Sequence, residues 1–193
     1  MKNISVLLFL LITLALNAQN NKTSGLNARQ FHKYWKVESE SPDYKVTFLG
    51  DTVEILSPKG LTLWRKEKMS GKVTIEYDAC VVVEVEGDRL SDLNCFWMAS
   101  DPQYPDNIWK REKWRSGIFL NCYSLQLYYM GYGGNHNSTT RFRRYDGNEA
   151  AITNAKARPA ILKEYTDADH LLEANKWYHI KITNENNRVS YYI

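Results

Sequence analysis

The stretch Gly131–Tyr145, GYGGNHNSTTRFRRY, carries the residue types best able to do chemistry. In an extended strand alternate side chains share a face, so Arg141, Arg143 and Tyr145 point one way and Thr140, Phe142 and Arg144 the other. Two guanidinium groups about 7 Å apart on one face suit a carboxylate or a sulfate, which they can hold with charge-assisted hydrogen bonds. His136 lies in the glycine-rich turn ahead of them, and Tyr132 and Tyr145 flank them in the sequence. Together these groups match the needs of β-elimination at a uronic acid. Arg141 and Arg143 would neutralise the carboxylate, His136 would take the C5 proton, and Tyr145 or Tyr132 would act as base or acid. The plainer alternative is that both arginines form cross-strand ion pairs with Glu76, Asp78, Glu84 or Glu86.

A second group is aromatic. Asp101–Ser116, DPQYPDNIWKREKWRS, breaks the strand rhythm and places Tyr104, Trp109 and Trp114 among polar and basic side chains, where stacking on a sugar ring is credible. With Tyr132 and Asn137 of the glycine-rich turn they form the expected substrate-binding set. Trp97 and Trp177 sit in apolar strands and read as core. Glu76 and Asp78 share one strand face about 7 Å apart, but the acid–aliphatic–acid–x–x–acid run of jelly-roll glucanases lacks its third acid here, and a solvent-facing role is favoured. His32, His136, His170 and His179 show no metal-ligand spacing, and Cys80, Cys95 and Cys122 allow at most one disulfide and a free thiol. No metal and no cofactor is expected.

The elements that must position these groups are almost all strands. Period-two alternation between turn signals runs from Tyr34 to the end, with expected strands at 34–37, 44–49, 52–56, 61–65, 72–86, 94–100, 117–123, 125–130, 139–145, 161–165, 177–183 and 188–193. In 72–86 the odd positions, Val73 to Val85, make an unbroken apolar face. A helical turn or two is expected only within Thr166–Glu173 and, more weakly, Asn148–Lys156. The composition, 44% hydrophobic and 24% charged, is that of a globular domain, and the net charge of +3 is too small to imply nucleic acid as a partner. Residues 1–18 read as a signal peptide: Lys2 in the n-region, an apolar run from Val6 to Leu16, and a junction at Ala18-Gln19. The run is too short for a comfortable membrane span, so the mature chain, residues 19–193, is expected to be secreted or periplasmic without membrane insertion. That chain reads as one all-β domain. It stops inside a strand at Ser190-Tyr191-Tyr192-Ile193, which suggests a sandwich whose late strands are missing.

The segment Asn175–Thr183 followed by Asn187–Tyr192 resembles the late hairpin of concanavalin A-like lectin/glucanase jelly rolls. GYGGNHNSTTRFRRYDG together with CFWMASDP is similar to an uncharacterised concanavalin-like family of secreted polysaccharide-utilisation proteins in Bacteroidetes-type bacteria. The resemblance spans residues 45–193. It implies a jelly-roll β-sandwich of two antiparallel sheets and a polysaccharide or oligosaccharide partner, and it supplies no catalytic residues to transfer. Three functions stay open: an enzyme on acidic polysaccharide, as a polysaccharide lyase or other glycan-cleaving enzyme; a non-catalytic carbohydrate-binding module; or a structural sandwich that binds a partner protein of the cell surface.

Overall fold

The computed structural model describes residues 6–11, 28–185 and 187–193. Twelve strands are present among them: β1 (Val6–Leu11), β2 (Trp35–Ser39), β3 (Lys45–Leu49), β4 (Thr52–Ser57), β5 (Leu61–Arg65), β6 (Val73–Val82), β7 (Leu93–Ser100), β8 (Gln126–Gly133), β9 (Thr139–Asp146), β10 (Ile161–Tyr165), β11 (Trp177–Glu185) and β12 (Arg188–Tyr192). They form a six-stranded sheet in the order β12-β11-β6-β1-β4-β3, a four-stranded sheet β10-β9-β8-β7 and a ribbon β2-β5, and every pairing is antiparallel. This is an all-β sandwich.

Alternation builds the layers. The odd face of β6 buries Ala79 and Val81 with Tyr178, Ile180 and Ile182 of β11 against Leu93, Trp97, Met130 and Tyr132 of the four-stranded sheet. At its centre the Trp97 ring stacks with Tyr128, Phe142 and Tyr191 at centroid separations of 5.8, 5.9 and 6.2 Å. The backbone of Leu8 pairs with both Ile55 and Val81, so those two residues face the same side of the large sheet. On that side Val53, Ile55 and Phe31 pack against Val37, Leu61 and Leu63, which makes the ribbon a continuation of the second layer. The other ribbon face turns outward, carrying Lys36, Glu38 and Trp64 toward the face of the four-stranded sheet that points away from the core.

Several expectations change at element ends. The long strand stops at Val82 rather than Glu86, because the Asp88 carboxylate accepts the Glu84 and Val85 amides and Gly87 turns with positive φ. Residues 117–123 are not a strand: Gly117 takes φ +72 and Phe119–Ser124 form a 3-10 turn. Its apolar residues Phe119, Cys122 and Tyr123 recur at helical spacing and cover the outer face of the four-stranded sheet. Trp177 is 46% exposed, since its register with Cys80 puts it on the sheet face away from the core. The helix Ala28–Tyr34 was not foreseen, and the two expected helical segments shrink to Ala150–Thr153 with short 3-10 turns at Ala155–Ala157 and Ala168–His170. All three cysteines are free thiols. Val6–Leu11, the start of the expected leader's apolar run, is placed as the strand between β6 and β4. The rest of the leader, including the Ala18-Gln19 junction, lies outside the described residues. A chain cut at that junction would leave the facing edges of β4 and β6 without the pairing that Val6–Leu11 supplies.

The core buries several weak acids that prefer to stay neutral. Burial pushes the Cys95 thiol to about 11, the Cys122 thiol to about 12 and the Tyr132 phenol to about 12, and it raises Tyr77 and Tyr191 as well. A raised folded-state pKa means stability that is complete below the ordinary value and is lost as pH climbs through the folded one. With ordinary values of 9.0 for the thiols and 10.0 for the phenols, the window runs from pH 9 upward to about 12. Urea midpoints are therefore expected to hold with respect to these groups up to pH 9 and to fall steadily above it. A midpoint unchanged between pH 9 and 11 would contradict the burial of these groups.

Candidate functional site

Strand register arranges the outer face of the four-stranded sheet in rows. One row reads Asn94, Gly131, Arg141 and Glu164 across β7, β8, β9 and β10; the next reads Phe96, Tyr129, Arg143 and Ile161. The turn at Phe119–Ser124 covers the end of this face that holds Leu127 and Tyr145, and leaves the Asn94–Arg141 end uncovered by that turn.

Tyr129 is the centre of the arrangement. Its ring packs on Phe96, Phe119 and Tyr145 at 5.4, 5.6 and 5.5 Å, and its hydroxyl donates to Asn94 Oδ1 at 3.0 Å. To do so the phenol leans across Gly131, where a Cβ would stand 2.0 Å from Tyr129 Oη. Glycine is thus required at that position by a side chain rather than by a turn. Burial raises the Tyr129 phenol first; Asp92 and Tyr123 raise it further, while Arg143 and Arg141 pull it down. Arg141 is paired with Glu164 of β10. Arg143 is half-buried and donates to the Pro159 carbonyl; among the described residues no carboxylate lies within ion-pair distance of it. At the open end Arg89 pairs with Asp92, and Ser91 Oγ donates to the Gly133 carbonyl at 2.9 Å.

A phenol, an amide and an unneutralised guanidinium therefore share an outward sheet face. A model of a domain of unknown function, DUF6250, matches residues 55–193, which include every one of these residues. The chain belongs to the DUF6250 family. No curated protein and no solved structure matches it significantly.

In this DUF6250 chain the residues expected from sequence divide. Arg141 and Arg143 do share a face with Tyr145, and the acids of β6 do not claim them: Glu76 pairs with Lys181 and Asp78 with His179 on the far sheet. Tyr145 is a correction. It is 1% exposed beneath Tyr123 and Ala151, its phenol strongly raised by burial and, unlike that of Tyr129, without a hydrogen-bond partner among the described residues. Tyr132 is another: it points into the inter-sheet core and donates to the Leu171 carbonyl. Asn137 is spent on the backbone of Leu172, accepting its amide and donating to its carbonyl, both at 2.8 Å. His136 is exposed in a turn where Asn135, His136 and Asn137 all take left-handed φ, at 53, 58 and 57°. Such backbone costs about 1–2 kcal/mol per residue and persists here through the Asn137 clamp and the Asn135–Ser138 bonds.

The aromatic set lies at the opposite end of the strands. Asp101–Ser116 meets β9 near Gly147, a distance on the order of 20 Å along the sheet from the His136 turn. Trp109 is half-buried with Lys36 Nζ 5.4 Å from its ring, whereas Tyr104 and Trp114 are exposed. Tyr129 and Asn94 were missed from sequence. Neither carries a sequence signal of its own: both faces of β8 are buried, and only the strand register sets Tyr129 and Asn94 on the face of Arg143 and Arg141. Among the described residues no cluster of three or more His, Cys, Asp or Glu could hold a metal ion, and no helix is long and apolar enough to cross a membrane.

Proposed function

We propose that this chain is a secreted carbohydrate-active protein of the concanavalin A-like jelly-roll kind that cleaves uronate-containing polysaccharide by β-elimination. The observation that carries the reading is Arg143, a cation without a carboxylate partner among the described residues, beside the buried phenol of Tyr129. A substrate carboxylate would supply the missing counter-charge. Neutralising it acidifies the adjacent C5–H and stabilises the charge that develops when the proton leaves. Tyr129, as phenolate, would take that proton; the C4–O bond breaks as the C4–C5 double bond forms, and the resulting phenol returns a proton to the leaving oxygen. Asn94 would then serve as a positioning residue through its bond to Tyr129.

The test is release of unsaturated product, followed by ultraviolet absorbance, from a broad panel of uronate polysaccharides. Wild type is expected to act on at least one of them, and Arg143→Ala to lose about 100-fold in kcat/KM. Absence of product across the panel, with stable binding of the same polymers, would instead make this chain a binding module.

A further inference from the structure

We propose that Tyr104, Arg111 and Trp114 form a second carbohydrate platform, one that takes the neutral faces of pyranose rings and works independently of the cationic sheet face around Arg143. The Arg111 guanidinium lies 5.9 Å from the Tyr104 ring centroid and 5.1 Å from that of Trp114, so one planar cation backs both rings. The cation is itself fixed. Asp101, fully buried, accepts Arg111 Nε and Nη2 at 2.8 Å each, and Glu149 accepts Nη1. The same Asp101 accepts the Gln103 amide through its side chain and the Tyr104 amide through its carbonyl, both at 3.0 Å. The Trp114 carbonyl is tied to Asn121 Nδ2 at 3.0 Å. Two aromatic rings are thus mounted on a rigid scaffold while remaining 37% and 43% exposed.

Charge and surroundings choose the ligand. Arg111 is already matched by two carboxylates, so this site gains nothing from an anion, in contrast to Arg143. Along the chain the rings are flanked by exposed Gln103, Asp106, Asn107, Lys110 and Lys113, with Pro102, Pro105 and Leu120 as the exposed apolar neighbours, a border more polar than a protein interface core. Flat rings bordered by hydrogen-bonding groups match a hydrated ligand whose faces are C–H and whose edges are hydroxyl. The rigid mounting lowers the ordering cost of binding.

Affinity electrophoresis of the full chain in gels cast with neutral polysaccharides (β-glucan, xylan, mannan, galactan) tests the assignment. Wild type is expected to be retarded by at least one of them. Trp114→Ala and Tyr104→Ala should weaken that retardation about tenfold or more, Trp114→Phe should restore most of it, and Arg143→Ala should leave it unchanged. No retardation of wild type by any of the polymers, undiminished retardation of Trp114→Ala, or its loss in Arg143→Ala would each overturn the proposal. Because the readout is binding to uncharged polymers, it can succeed where β-elimination fails, and the reverse.

Discussion

Arg115→Ala is expected to lower the unfolding free energy by about 3–5 kcal/mol, a large part of what a domain of this size possesses. Arg115 is fully buried and Glu38 nearly so; they meet through Nη2 to Oε1 at 2.7 Å and Nε to Oε2 at 3.2 Å. Truncating the arginine strands a carboxylate in the interior, where solvation cannot replace the lost partner. Exchanging both members for apolar residues of similar volume, Glu38→Leu with Arg115→Met, should recover most of the loss, because the desolvation of both charges is then avoided. Urea midpoints of the two single variants and the double variant separate these cases. Single variants within about 1 kcal/mol of wild type would mean that water reaches the pair. The effect should reach Tyr129 as well. Arg115 lies 5.8 Å from the Trp64 ring, Trp64 stacks on Phe96, and Phe96 packs on Tyr129, so loosening the 108–124 segment removes the support behind the phenol.

How far the sequence foretold this arrangement depends on what alternation can encode. In β6 one face is apolar and the other largely polar; in β9 both faces are mixed, and period-two alternation alone puts Arg141 and Arg143 on one face with Tyr145, in agreement with the pairing to β8. In β8 both faces are buried, so Leu127 and Tyr129 on one side look the same as Tyr128, Met130 and Tyr132 on the other. That is why the sequence offers Tyr132 as a ligand contact and gives no reason to single out Tyr129. Tyr145 shows a second limit. Its parity was right, yet parity says nothing about whether a distant segment, here Phe119–Ser124, closes over the face. The segment reads as a strand because Ile118, Leu120 and Tyr123 suggest β structure locally, while buried Cys122 and Tyr123, with partly buried Phe119, follow the spacing of a turn. The ion pair of Glu38 with Arg115, separated by 77 residues, left no local signal at all.

Tyr129→Phe is the second substitution expected to act strongly, and its effect should fall on activity rather than on the fold. The ring contacts with Phe96, Phe119 and Tyr145 survive, and one hydrogen bond to Asn94 is lost, a cost of about 1 kcal/mol. If the phenol transfers the proton, kcat/KM should drop by about 10²–10⁴. The pH profile distinguishes its role. Burial holds the phenol protonated at neutral pH, so a base drawn from it is a minor species that grows tenfold with each pH unit. The rate should then rise with a slope near one up to pH 9, above which the thiols ionise in the unfolded chain while the fold holds them neutral, and stability begins to fall. Arg143 is one of the two groups that pull the Tyr129 pKa down, so Arg143→Ala should also move this limb to higher pH. Gly131→Ala offers an independent route to the same loss, since the new Cβ would occupy the path of Tyr129 Oη without touching either arginine's charge. A rate that does not rise with pH, or one that survives Tyr129→Phe and is abolished by His136→Ala, would remove Tyr129 from the role of base.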